Sequence, residues 1–346
     1  MFANEIFYFS IVLVSSLIIL FLLFGYLVIT KVLENDRRTK VEQYKEEYRL
    51  PLFQYLNNEA GEEALSLQSP LEVKAFIELT AGFAKVLGGE EIGERIRGFA
   101  ETHFGTYIRS RLTHRRWSMR MNALYWIEEF NMKNMFIELD RLYDSRKLTK
   151  SEEIQLLKIY ILNEDETVMG KMTRPKHPLT EFDYSLLFTS FTGEQLDRFI
   201  AMFNQLPAEM AYALVDSIGV RGRQGDSLFL ENLLDDPAEE IRIRALKAMV
   251  EMEYFLAPSA LIKHLLSPSW QERLMAIKAC EYIRSHELLP YLEDLMSDHS
   301  FYVRSQAAKS LLRLEAGKEV LKQVAASNED HYARNMAEQW LERGSV

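Results

Sequence analysis

"DDPAEEIRIRALKAM", Asp235 to Met249, sets an acidic turn and a proline ahead of a helix that carries arginines among its apolar positions. Ile241, Leu246 and Met249 form the apolar stripe of that helix. Whether the arginine beside them does chemistry or holds structure depends on recurrence. The pattern returns as "SPSWQERLMAIKAC" from Ser267, "DHSFYVRSQAAKSL" from Asp298 and "NEDHYARNMAEQWL" from Asn328. In every copy an arginine stands six residues after the opening residue, and an alanine three after the arginine. The arginines Arg242, Arg273, Arg304 and Arg334 follow one another at 31, 31 and 30 residues, as the alanines Ala245, Ala276, Ala307 and Ala337 do. A fixed period in this range is the signature of a solenoid.

Each residue type in the pattern has a physical reason. Asp236, Ser267, Asp298 and Asn328 are preferred N-cap types, so they are expected to cap the helices that follow, with Pro237 and Pro268 at the first helical position. The recurring alanine lets a neighbouring helix approach closely. Ahead of each opening residue lies a short apolar helix: "SLFLENLL", "APSALIKHLL", "LLPYLEDLM" and "GKEVLKQVA". Every unit therefore reads as helix, tight turn, helix. The regular spacing favours a structural arginine ladder tying turn to turn over a row of anion receptors, because a planar five-donor guanidinium suits that task.

Residues 225–346, with an acidic turn residue and an arginine six later on the second helix, resemble HEAT-family repeats in four units. Pro258 and Pro290 in the first helices fit the same family. The resemblance implies an all-α solenoid of helix pairs. It also implies that Ser267 and Asn328, which replace the acidic turn residue, make two of the ladder contacts neutral rather than ionic. Backwards along the chain, "HRRWSMRMNALYWI" places His114 six before Arg120 and Ala123 three after it. "KSEEIQLLKIYIL", "LTEFDYSLLFTS" and "LPAEMAYALVDSIG" then stand as degenerate units that lack the arginine. The alternative for 50–220 is a separate helical domain. "NEDETVMGKMTRPKHPLTEF" is the one long irregular-looking segment.

The other end of the chain carries the strongest local signal. Ile6 to Ile29 is 24 residues without a charge. As a helix it measures about 36 Å, enough to cross a hydrocarbon core of about 30 Å. A cleaved signal peptide would have a basic start and a shorter apolar run. Lys31, Arg37, Arg38, Lys40, Lys45 and Arg49 all follow the run and no basic residue precedes it, so the N-terminus is expected outside and the body in the cytoplasm. Val41, Tyr44 and Tyr48 give the next segment a narrow apolar stripe, and Pro51 is expected to interrupt or end it. The expected organisation is an anchor over 1–30, a charged juxtamembrane helix over 31–50 and a helical start of the body over 51–110. Degenerate repeats over 111–224 and four clear ones over 225–346 complete it.

Composition narrows the chemistry. The 346 residues hold 41 basic and 51 acidic side chains, a net charge of −10, which argues against nucleic acid as main partner. A single cysteine, Cys280, excludes an intramolecular disulfide framework and any cysteine-based zinc site. The seven histidines are scattered without HExxH spacing, and "GVRGRQGD" lacks the ending of a phosphate loop. No catalytic motif stands out, so no enzyme activity, cofactor, metal or small-molecule ligand is expected.

The functional expectation is a membrane-anchored, cytoplasm-facing scaffold or adaptor for protein partners. Its candidate contacts are Arg244, Lys247, Glu251, Lys278, Glu281, Lys309 and Glu338 on the second helices. By resemblance, the partner would be membrane-associated envelope machinery, for example a glycosyltransferase making surface polysaccharide. The rival reading is an anionic-lipid binder that uses Arg109, Arg111, Arg115, Arg116 and Arg120. A HEAT-like enzyme acting on nucleic acid is a remote third.

Overall fold

The computed structural model describes residues 2–59, 61, 65, 67–283 and 285–343, and among these every regular element is helical. By contacts the chain divides into two compact units between Asn163 and Glu164.

The first unit begins with α1, Phe2–Leu56, a single helix of 55 residues. Pro51 lies inside it, against the expectation that this proline interrupts or ends the helix. Proline removes one N–H from the ladder, a loss the surrounding packing offsets. Leu52 and Leu56 just beyond it are 0% and 1% exposed, and Arg95 Nη1 closes the end by donating to the carbonyls of Tyr55 (3.4 Å) and Leu56 (3.2 Å). The charged segment 31–50 is therefore continuous with the apolar run. The apolar side chains described from Ile11 to Leu33 lie open, whereas Val41 is 2% exposed, so α1 enters the packed body at that residue.

α2 (Pro70–Val86), α3 (Glu90–His103), α4 (Gly105–Leu112), α5 (Trp117–Glu129), α6 (Phe136–Tyr143) and α7 (Lys150–Leu162) complete the unit. α2 starts at a capping box, Ser69 with Glu72. A run of aromatic contacts joins the layers: Tyr48–Phe76 at 4.7 Å, Phe76–Phe99 at 6.0 Å, Phe99–Phe104 at 5.5 Å and Phe104–Phe130 at 5.6 Å. α5 then packs on α7.

The second unit holds α8 (Val168–Thr173), α9 (Glu181–Phe188), α10 (Gly193–Ala201), α11 (Ala208–Arg221), α12 (Ser227–Leu233) and α13 (Glu239–Glu251). It continues with α14 (Pro258–Leu265), α15 (Trp270–Ile283), α16 (Leu289–Asp294), α17 (Phe301–Arg313), α18 (Gly317–Ser327) and α19 (His331–Arg343). The second helices stack in chain order, α9 on α11, then α13, α15, α17 and α19, with α12, α14, α16 and α18 as the first-helix partners of the last four. The three segments read as degenerate units are α7, α9 and α11.

Small residues set the spacing of the stack. Ala245, Ala276, Ala307 and Ala337 are all 0% exposed. At Gly219 an added Cβ would stand 2.7 Å from Ala248 Cα, so α11 and α13 touch through backbone there. "GVRGRQGD" ends α11 at Gly222, whose φ of 64° is the left-handed conformation glycine adopts without penalty.

Candidate interaction surface

The ladder arginines repeat one local geometry. Arg242 Nη1 donates to the carbonyls of Asp236 (2.8 Å) and Pro237 (3.2 Å), six and five residues back. Arg273 does the same to Ser267 (2.7 Å) and Pro268 (3.0 Å), and Arg304 to Asp298 (2.6 Å) and His299 (3.2 Å). Arg334 bonds Asn328 (2.6 Å) and Glu329 (3.1 Å). In the first unit Arg120 bonds His114 (3.0 Å) and Arg115 (3.3 Å) in the same way. The arginine supplies N–H donors to turn carbonyls that no helix reaches, which is why the six-residue interval is fixed.

The expected caps are corrected by the turns. Asp236, Asp298 and Asn328 lie three residues before the first helical residue, and their side chains accept from the N–H two residues on, at 2.8, 2.7 and 2.8 Å. Ser267 does likewise to Ser269 N at 3.2 Å. These are Asx-type turns that present their carbonyls to the arginine, not helix caps. Pro237 and Pro268 lie in the turn before the helix.

The remaining guanidinium donors reach the next unit. Arg273 holds Asp298 as a fork, Nε at 2.6 Å and Nη2 at 3.0 Å. Arg242 forks onto Glu272 at 3.0 and 2.9 Å, so the contact expected to be neutral at Ser267 is ionic. Ser267 is too short to reach, and the carboxylate comes instead from the helix, held by Ser267 Oγ (2.8 Å) and His264 Nδ1 (2.6 Å). Burial pushes the Glu272 carboxyl up, but those bonds and the Arg242 charge bring it down to about 2. Burial holds His264 below its ordinary value against the pull of Glu272. Arg120 pairs with the fully buried Glu152 (2.6 Å), which Thr149 also bonds. Sequence reading missed Glu152 and Glu272. Their signal is a turn hydroxyl, Thr149 or Ser267, followed within five residues by a glutamate. At Asn328 the expected neutral contact is not formed: Arg304 Nε is buried without a partner, and its guanidinium lies 5.4 Å from the Tyr332 ring.

The five-arginine patch is reduced by the same geometry. Arg109 pairs with Glu138 at 2.9 Å, Arg111 lies 4.6 Å over Tyr107 and bonds its hydroxyl, and Arg120 is buried. Arg109, Arg115 and Arg116 are exposed among the five, and of these Arg109 is held by Glu138.

The expected partner surface changes too. Arg244 is 16% exposed, bonded to Glu181 (2.7 Å), Asp216 (2.5 Å) and Glu240 (2.6 Å), and lies 4.7 Å over Tyr212. Glu281 is 8% exposed and accepts from Gln306 at 2.6 Å, with Lys309 at 3.5 Å and Arg313 also on it. Lys247 and Glu251 belong to the Asp216 group, with Lys247 3.1 Å from that carboxylate. Stacked helices stand about 8–10 Å apart, within reach of long side chains, so these charges bridge tiers instead of facing a partner. Lys278 is half-buried and Glu338 exposed. Cys280 lies in the core, its thiol pushed up to about 12 by burial.

Residues 257–342 match the family model of HEAT repeats. That stretch consists of HEAT repeats. Beyond it, Arg120 carries the same turn geometry outside the matched residues. No curated protein matches the chain. Among solved structures it is similar to an engineered structural-genomics protein, 14% identical over 80% of each chain with a TM-score of 0.33. A designed armadillo repeat protein is 16% identical over 59% of this chain and 98% of its own, TM-score 0.33. Human deoxyhypusine hydroxylase in complex with glycerol is 14% identical over 72% and 98%, TM-score 0.29. Superpositions this loose carry nothing about function. HEAT repeats, stacked so that each unit touches its neighbours, form an extended scaffold suited to protein–protein interaction.

Proposed function

We propose that this protein is a membrane-anchored interaction scaffold with its N-terminus outside, its body in the cytoplasm and no catalytic role of its own. The observation that carries the reading is α1. Its apolar side chains are open wherever they are described from Ile11 to Leu33, the helix is long enough to cross a membrane, and it passes without a break into residues packed in the body. The helical segment 30–40 between them is about 16 Å long and leaves no flexible linker. A body attached this way samples partners near the membrane at raised effective concentration.

Alkaline carbonate washing of membranes from cells expressing the full chain tests the anchor. The full chain is expected in the pellet and a chain without residues 2–30 in the supernatant; a full chain released by carbonate overturns the reading. Labelling of Cys280 by an impermeant thiol reagent from outside intact cells, after denaturation, would reverse the topology. Photo-crosslinking in isolated membranes identifies the adaptor's partner. The polysaccharide glycosyltransferase rests on the family resemblance alone. Anionic lipid binding, the rival, now rests on Arg115 and Arg116 beside the exposed Trp117. Unchanged vesicle binding after Arg115→Gln and Arg116→Gln removes it.

A further inference from the structure

One rung of the arginine ladder lacks its acid. In Arg120, Arg242 and Arg273, Nη1 donates to the arginine's own turn, and Nε stands 2.6, 3.0 and 2.6 Å from a carboxylate oxygen of the following unit. In Arg242 and Arg273, Nη2 reaches the second oxygen, at 2.9 and 3.0 Å. The acids leave water to make this contact: the side chains of Glu152, Glu272 and Asp298 are 0%, 3% and 6% exposed. At Arg304, Nη1 closes its turn as in the others, but Nε is buried with no acceptor among the described residues.

Asn328 is the reason. It occupies the position from which Asp298, one unit earlier, holds Arg273. Both residues commit Oδ1 to the N–H two residues on, Asp298 to Ser300 at 2.7 Å and Asn328 to Asp330 at 2.8 Å. Asp298 keeps a second oxygen for the arginine, 2.6 Å from Nε. Asn328 keeps only an amide nitrogen, which is a donor like the guanidinium it would have to serve. The turn is preserved, and the acceptor alone is lost.

The three filled rungs define what the Nε–Nη2 edge takes: one planar carboxylate. Access is through Tyr332, whose ring lies 5.4 Å from the guanidinium and is 60% exposed. Exposed side chains change rotamer within nanoseconds, so this ring covers the donors without closing them off. Charge then separates the possible sources of an anion. Glu329 is exposed and Asp330 half-exposed beside Asn328, in a chain of net charge −10. A doubly charged phosphate or an anionic bilayer meets that negative field in full. A single carboxylate with a basic neighbour does not, because the neighbour gives Glu329 a counter-charge.

We infer that the free donors of Arg304 receive an aspartate or glutamate side chain of a partner protein, on a segment with a basic residue beside the acid. The partner thereby completes from outside the tie that Asp298 makes within the chain. The inference deepens the scaffold reading and rests on it.

The test uses the full chain in detergent micelles and a fluorescein-labelled glycine–serine peptide carrying one glutamate next to one lysine. The control peptide has glutamine in place of the glutamate, and inorganic phosphate and phosphatidylglycerol vesicles are the other probes. Submillimolar binding of the glutamate peptide is expected, about tenfold or more tighter than the control, as for hydrogen bonds to a charged group. Arg304→Gln and Arg304→Lys should each lose that margin, the second because an ammonium cannot fork. Asn328→Asp fills the site from within the chain, so it should lose the margin while the melting temperature rises, which separates competition from unfolding. Glu329→Gln should weaken the peptide that carries lysine and leave one without it unchanged. Equal binding of the two peptides, full binding by the Asn328→Asp chain, or tighter Arg304-dependent binding of phosphate or vesicles overturns the inference. If membrane crosslinks to a partner then persist unchanged in the Arg304→Gln chain, the scaffold reading stands and only the fork falls.

Discussion

Asn328→Asp should stabilise the protein, although it adds a charge to a chain already at −10. Arg304 is the one ladder arginine with a following unit but no carboxylate from it, and its Nε is buried without a partner. An unmet buried donor costs about 1–3 kcal/mol. The unit before shows what a carboxylate would find: Asp298 keeps its own turn bond and takes the Arg273 fork at 2.6 and 3.0 Å, at side-chain exposures of 6% and 15%. Desolvating a new carboxylate offsets much of the gain, as for any buried pair. The expected net is about 1 kcal/mol, or a melting shift of about 2–4 °C for a unit of this size. Hydrogen exchange resolves it better than melting alone, since repeat arrays open locally, and protection should rise in α17 and α19. Asp298→Asn, the reverse change one unit earlier, should cost about 3 kcal/mol, because it strands Arg273. Arg304→Lys combined with Asn328→Asp should lose the gain, since an ammonium cannot fork. If Asn328→Asp is neutral or destabilising while Asp298→Asn is costly, the stacking of Arg304 on Tyr332 already satisfies it, and the reasoning fails.

Gly219→Ala should destabilise by about 1–3 kcal/mol in denaturant unfolding, because its Cβ would meet the Ala248 backbone. Gly170→Ala, with nothing within 4 Å, should instead be neutral or stabilising by up to about 1 kcal/mol. Stability should fall in two acid steps. His264 is held neutral, its folded pKa below the ordinary 6.5, so its contribution is complete above 6.5 and is lost as pH falls below it. Glu272, held at about 2 against an ordinary 4.5, contributes above 4.5 and loses that contribution as pH falls toward 2. His264→Gln should flatten the curve between 6.5 and 4.5 in unfolding measured across pH, and an unchanged slope there would place the first step elsewhere.

The arginine at six residues after the turn was legible because its Nη1 contacts are local: five and six residues back along one chain segment, dictated by helix geometry alone. The apolar run, the solenoid period and the recurrent alanine were legible for the same reason. The acid partners were not. Arg120, Arg242 and Arg273 find theirs 32, 30 and 25 residues away, on a helix in two cases and in a turn in the third. A carboxylate can reach one fork from several backbone positions, so no fixed spacing marks it. Arg244 looked like a surface contact because its helix position is outward in isolation. A glutamate 63 residues earlier comes to it only when α9, α11 and α13 are stacked.

The sequence by itself therefore determined what rests on neighbours along the chain: the long apolar helix, the helix–turn–helix units, and the arginine that closes each turn. Tertiary structure decided which charges are spent inside the stack and which side chains are left outside it. Tiers about 8–10 Å apart let long charged side chains neutralise one another. The same stacking leaves Trp270, Phe301, Tyr302 and Tyr332 uncovered at its edge.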